Sequence, residues 1–212
     1  LSNNNHDVTI YHRNSLKSKN LIKSYLHPNL KGQKIPNVIK FSSHINDFDF
    51  NNLNILAIPT HALSDWMHKM ENKNSKFLIL SKGFYLNNGL LPTELLTQKF
   101  DVNVNKIAVL SGPNHAEEII EQKPTATIIA STNNSFSKKL QSLFASKKFR
   151  VYTSDDIIGV QIGAAVKNVI AIASGLCKGL NLGDNAQASL VSRGMNEMIE
   201  LKKVYDLKVN TL

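Results

Sequence analysis

The sequence predicts an α/β fold: a doubly wound, mostly parallel sheet over residues 1–154, followed by the start of an all-helical domain over 155–212. Three observations predict it. Short apolar runs recur along residues 1–154, each leading into an amphipathic stretch, the pattern of strands covered on both faces by helices. Pro59, Gly83 and the pair Gly112-Pro113 close such runs, as strand-to-helix turns require. Beyond about Asp155 the alternation stops and only helical spacing remains.

In chain order, Val8-Thr9-Ile10-Tyr11 reads as a strand and Ser15 to Tyr25 as a mostly polar helix. Asn54 to Pro59 is a second strand, ended by its proline, and Thr60 is placed to cap a helix running to about Glu71. Phe77 to Gly83 repeats the theme, as does Ile107 to Pro113, with a helix expected over Asn114 to Glu121. Thr125 to Ala130 and Phe149 to Tyr152 are further strands, separated by a helix around Phe136 to Phe144. Two helices follow: an almost wholly apolar one from Ile157 to Leu176, and one from Asp184 onward carrying Leu190, Met195, Met198 and Ile199.

Composition narrows the function classes. Hydrophobic residues make up 42% and charged residues 19%, a globular balance rather than that of a disordered tail. The net charge of +9 attracts anions, whether nucleic acid, acidic lipid or phosphorylated small molecules. The basic residues are scattered in pairs such as Lys138-Lys139 and Lys147-Lys148, without interleaved aromatics, which argues against a nucleic-acid face. A single cysteine, Cys177, excludes an internal disulfide framework and cysteine-based metal clusters, and no metal site is expected. Leu1 to Asp7 is polar and carries no secretory h-region, so the expected location is cytoplasmic. A first residue other than Met, and an end at Leu212 without a visible stop, give the expectation of a fragment.

In parallel sheets of this kind, ligands lie at the carboxyl ends of the strands. Arg13, Pro59-Thr60, Lys82-Gly83 and Gly112-Pro113 all fall at such ends. The helix from Ile157 is long enough to cross a bilayer. Lys167-Asn168 sits at its centre, however, and Gly159, Gly163 and Gly175 interrupt it, so a helix buried in protein is expected, without stable membrane insertion. A buried lysine has a lowered pKa and can exchange a proton near neutrality. The residues alone leave a second reading open, a lysine snorkelling to the helix edge or paired with a carboxylate.

The segment Gly163-Ala164-Ala165-Val166-Lys167-Asn168-Val169-Ile170-Ala171-Ile172-Ala173-Ser174-Gly175, with Gly179-Leu180-Asn181-Leu182-Gly183-Asp184-Asn185 after it, resembles the signature helix of the bacterial NAD(P)-dependent glycerol-3-phosphate dehydrogenases. Lys178 departs from the acidic residue usual there. The resemblance covers essentially the whole chain and implies a Rossmann-like cofactor domain followed by a helical substrate domain. It implies Lys167 as the catalytic proton acceptor, with Asn168 lining the site. Phe77 to Gly83 is similar to the family's strand ending in Lys-Gly, which implies that Lys82 contacts both cofactor and substrate. Ser111-Gly112-Pro113-Asn114-His115-Ala116 resembles the family's turn, in which Gly112 and Asn114 would touch substrate and Ala116 the cofactor. Asn114 stands where a hydroxyl residue is commoner, but it too can donate or accept a hydrogen bond.

Cofactor choice is read at the end of the first strand. Dinucleotide-binding domains that prefer NAD usually carry Asp or Glu there, whereas this chain has Tyr11-His12-Arg13-Asn14. A basic residue suits the 2′-phosphate of NADP, and the resemblance also assigns His12 and Arg13 to the cofactor; NADP is favoured, with NAD still open. Tyr25 either flanks the cofactor or packs. His61, in Pro59-Thr60-His61-Ala62, is expected to be structural.

The glycine-rich pyrophosphate turn and the family's later Asp and Ser-Arg-Asn residues are not found in the sequence. These residues alone are therefore expected to be inactive. The implied partners are glycerol 3-phosphate and dihydroxyacetone phosphate, with no nucleic acid and with a homodimer as an open assembly; the implied role is supply of glycerol phosphate for phospholipid synthesis. Two rival readings stand beside this one. One is a reductase of the 3-hydroxyacid or ketopantoate type; the other is a non-catalytic module binding dinucleotide or nucleic acid.

Overall fold

A computed structural model describes residues 1–2, 6–30 and 32–205; the end of the expected helical region, 206–212, lies outside the described residues. Five strands form the main sheet in the order β3 (Leu53–Leu56), β4 (Lys76–Ile79), β5 (Ile107–Ser111), β6 (Thr125–Ala130) and β7 (Phe149–Ser154). Alternation along β4 explains why its run is continuously apolar. Phe77 and Ile79 face one core with Leu56, Leu63, Met67, Leu96 and Val109. Leu78 faces the opposite core with Ala108, Leu110, Ile129 and, from α5 (Asn134–Phe144), Phe136 and Leu140. A strand buried on both faces has no polar side to show in sequence.

Neighbouring strands run parallel except β5 and β6, which pair antiparallel through Ser111 and Ile128. The connection fits the reversal. Its one helix, α4 (Ala116–Ile120), has five residues and rises only about 7–8 Å. The helix alone therefore does not span the length of a five-residue strand of roughly 17 Å, as a parallel crossover helix would. Consequently β6 begins at the edge where β3, β4 and β5 end.

A second, two-stranded parallel sheet joins β1 (Thr9–Tyr11) and β2 (Lys40–Ser42) across α1 (Ser15–Ser24). Asn14 caps α1 by accepting from the Lys17 amide at 3.0 Å, and Tyr25 ends it with φ 49°. An aromatic cluster links the two sheets: Tyr11 lies 4.6 Å from Trp66 and 5.7 Å from Phe48 between ring centroids. The sequence did not suggest β2, which is only three residues long.

Two expectations need correction. Thr60 does not cap the helix after β3: it opens a 3-10 turn, Thr60–Ala62, before α2 (Leu63–Lys69), and its hydroxyl turns away to another strand end. The helix α6 (Ile157–Gly179) is also not buried throughout. Asp156 caps it through the Gly159 amide at 2.8 Å, and Ile157, Val160, Gln161, Ile162 and Ala164 are buried. Past Lys167, Val169, Ile172 and Leu176 are 60–67% exposed. There α6 has left the sheet and packs chiefly on α7 (Asp184–Glu200).

Candidate active site

Three strand ends and one helix build the site. After β4 the chain passes through Ser81, Lys82 and Gly83, and the backbone here is held from β3: Ser81 Oγ donates to the Ile58 carbonyl at 2.6 Å, and Thr60 Oγ1 donates to the Lys82 carbonyl at 2.7 Å. Gly83 then takes φ +93°, a conformation that side chains disfavour and glycine permits. After β5 the turn Gly112-Pro113-Asn114 lies directly against β6. A Cβ on Gly112 would meet the Ala126 carbonyl oxygen at 2.9 Å and the Thr127 Cα at 3.0 Å, so backbone meets backbone and only glycine fits.

Across these turns runs α6, packed on β5. Lys167 Nζ donates to the Gly112 carbonyl at 2.9 Å, and that carbonyl also accepts from the Asn114 amide at 3.0 Å. No described salt bridge involves Lys167. The carboxylate-paired reading therefore falls, and so does the snorkelling one, since the ammonium reaches inward to a backbone carbonyl. Partial burial pushes the Lys167 pKa down, and the positive charge and hydrogen-bonding contact of Lys82 lower it further. Two lysines thus converge where Gly112 and Asn114 turn, and neither is in a described salt bridge.

The expected site residues divide into two groups. Lys82, Gly112, Asn114 and Lys167 come together. Asn168 follows Lys167 on the helix and is exposed, about 100° around the axis from it, with no described side-chain hydrogen bond. Ala116 is exposed at the first position of α4, and the helix expected from Asn114 begins only here because residues 112–114 form the turn. His12, Arg13 and Tyr25 belong to the β1–α1 unit and share no described hydrogen bond with the lysine pair. The Asn14 amide donates to His12 Nδ1 at 3.1 Å, which turns the imidazole along its own loop, whereas Arg13 is exposed and in no described salt bridge. Exposed His61 has no described part in the site.

Sequence reasoning missed the residues that hold this arrangement. Thr127 is 3% exposed; it donates to the Ser111 carbonyl at 2.7 Å and accepts from Asn114 Nδ2 at 3.1 Å. Gln161 is equally buried and clasps Thr93, accepting from its amide at 3.1 Å and donating to its hydroxyl at 2.8 Å. This fixes α6 against α3 (Pro92–Glu94), less than two turns before Lys167. The signal available was a polar residue inside an apolar run, which in both cases marks a buried hydrogen-bond obligation.

Comparison with known proteins gives the family. The family model for the NAD-dependent glycerol-3-phosphate dehydrogenase N-terminus matches residues 1–137, and the model for the C-terminus of the same family matches residues 156–212. The glycerol-3-phosphate dehydrogenase [NAD(P)+] of Halothermothrix orenii is 40% identical over 172 residues, covering 79% of this chain and 50% of that protein. The Staphylococcus epidermidis protein of the same name is 35% identical over 207 residues, covering 95% of this chain and 62% of its own length. The chain thus spans from half to about three fifths of the length of these relatives. The crystal structure of a glycerol-3-phosphate dehydrogenase from Coxiella burnetii superposes with a TM-score of 0.88 at 28% identity, over 100% of this chain and 66% of that one. With the lysine helix, the strand-end Lys-Gly and the glycine turn in place, and both family models matched in order along the sequence, the chain belongs to the NAD-dependent glycerol-3-phosphate dehydrogenase family.

Proposed function

We propose that the protein interconverts glycerol 3-phosphate and dihydroxyacetone phosphate with NAD(P), supplying glycerol phosphate for phospholipid synthesis. The observation that carries this reading is the lysine pair: Lys167, with a lowered pKa, beside Lys82 on a glycine turn at the strand ends. In oxidation the substrate loses a hydride from its secondary carbon and a proton from the hydroxyl on that carbon. Neutral Lys167 takes the proton and returns it in reduction. The Lys82 ammonium draws electron density from the same oxygen, favouring the alkoxide-like charge that develops there. Asn114 and the Gly112 backbone border the substrate, and Asn168, although exposed, would line its far side.

A bound nicotinamide supplies the hydride acceptor and donor. The residues present suit the dinucleotide. Arg13, exposed after β1 and free of described salt bridges, would hold a 2′-phosphate beside His12. Ala116, without a bulky side chain, and Tyr25 would border the cofactor further along, and Lys82 would touch it as well as the substrate. In the usual doubly wound order the first strand lies between the second and the fourth. Reading β1 and β2 as second and third, and β3 to β5 as the next three, leaves that central place for the expected glycine-rich strand and turn.

The same proposal divides the protein near residue 154, between β7 and α6, into a cofactor domain over 1–154 and a substrate domain from 155. The exposed apolar stripe Val169, Ile172 and Leu176 suits packing against further helices of that domain or a second copy. A cytoplasmic location accords with the free, buried Cys177. Scattered lysines favour small anions over nucleic acid as partners, and a lysine at mid-helix opposes insertion of α6 into a bilayer.

A substrate and cofactor panel on the full-length protein tests the reading. Dihydroxyacetone phosphate is expected to be reduced and ketopantoate not, with NADPH preferred over NADH. Arg13→Ala is expected to shrink that preference roughly tenfold, the size of a lost charge-assisted contact. Faster turnover of ketopantoate would overturn the assignment.

A further inference from the structure

Beyond the Leu80 amide, which donates to the Leu56 carbonyl at 3.0 Å, no described backbone bond joins the chain after β3 to the chain after β4. Two hydroxyls take over there. Ser81 Oγ donates to the Ile58 carbonyl at 2.6 Å, and Thr60 Oγ1 donates in the opposite direction to the Lys82 carbonyl at 2.7 Å. Ser81 and Thr60 are both buried, which limits the access of water to either bond. The Thr60 hydroxyl is the one described donor to the Lys82 carbonyl. On its other side Lys82 meets Gly83, where φ is +93° and an added Cβ would find nothing within 4 Å. Neither packing nor a side chain of its own restrains the peptide from that side. Thr60 itself is well fixed. Pro59 restricts the backbone before it, and the Ala62 amide closes a turn onto the Pro59 carbonyl at 2.9 Å.

We propose that Thr60 is a positioning residue: its hydroxyl holds the Lys82 peptide so that the Lys82 side chain stays beside Lys167. The inference rests on the reading of the lysine pair as the reacting site, which Thr60 reaches only through Lys82. Among the described residues, Lys82 is the charged neighbour that bears on Lys167, through its charge and a hydrogen-bonding contact. A Lys82 that drifts from this place stabilises less of the negative charge developing on the reacting oxygen. It also repels the Lys167 proton less. The first effect belongs to the reaction more than to binding, so it falls on kcat more than on KM.

The test uses the full-length protein with dihydroxyacetone phosphate as substrate. Thr60→Val keeps the shape of the side chain but has no proton to give. It is expected to lower kcat by roughly three- to tenfold, about one lost hydrogen bond, with KM changed by less than about twofold. Thr60→Ser keeps the hydroxyl and should recover most of that loss. In a Lys82→Met background, Thr60→Val should add less than about twofold, because the residue through which it acts is gone. An NMR titration of isotope-labelled lysine side chains reads the same pair without turnover. Thr60→Val should move the Lys167 midpoint upward, in the direction of Lys82→Met, and Thr60→Ser should leave it in place. An unmoved midpoint in Thr60→Val, equal losses in Thr60→Ser and Thr60→Val, or an undiminished further loss in the Lys82→Met background overturns the proposal. Should Thr60→Val not fold, an unmoved midpoint in Thr60→Ala overturns it. Absence of wild-type turnover on dihydroxyacetone phosphate would instead sink the reading of the site, and the titration would still decide whether Thr60 holds Lys82 beside Lys167.

Discussion

A lysine held near a second positive charge and partly out of water gives up its proton more readily than one in solution. Lys167 is in that position: burial acts first on it, then the charge of Lys82. The sign for stability follows. Between the lowered folded pKa and the ordinary lysine value, the unfolded chain holds the proton and the folded one does not, so stability rises with pH across that window. The sign for catalysis is the same, because the proposed oxidation needs neutral Lys167. The rate of glycerol 3-phosphate oxidation is expected to climb to a midpoint below the ordinary lysine value. In Lys82→Met the residual activity should show that midpoint moved upward, since the repelling charge is gone. A pH profile of kcat/KM checks this, and an unmoved or lowered midpoint would separate the two lysines.

Elements place these residues, and they differ in how far the sequence exposes them. Strands β4 and β5 were legible because both faces are buried, which writes a continuous apolar run. Strand direction was not legible, because an apolar run reads the same whichever way it enters the sheet. The reversal of β6 goes with the short α4, and it brings Thr127 to the strand ends beside Gly112. Thr60 looked like a helix cap because threonine before a helical pattern usually is one; here its proton goes across the sheet edge to the Lys82 carbonyl. Lys167, Lys82, Gly112 and Asn114 were legible from the motif they spell, whereas Gln161 was hidden as one polar residue in an apolar helix. Gln161→Leu would leave the Thr93 amide and hydroxyl buried without their partner. We expect a loss of about 1–3 kcal/mol in denaturant unfolding. A change below roughly 0.5 kcal/mol, the size of an ordinary surface substitution, would deny the clasp its role.

At the scale of the molecule, the five-stranded sheet gathers Lys82, Gly112 and Asn114 on one edge while α6 crosses from the sheet core to the helical part. One half of α6 is packed into the core and anchored by Asp156 and Gln161; the other emerges with an apolar stripe. Lys167 lies where the two halves meet, half-buried, with its ammonium on the Gly112 carbonyl. The net charge of +9 adds a long-range pull on the proposed anionic substrate and cofactor. In the proposed reaction Lys167 is the group that moves the proton. The direct measurement is the turnover of Lys167→Ala in the full-length protein, with and without added small primary amines. We expect a fall in kcat of roughly 10²–10⁴-fold, the range of a lost general acid-base group. Added amine should restore part of that rate as its neutral form becomes abundant. Turnover within a few-fold of wild type, unaffected by amine, would contradict the account.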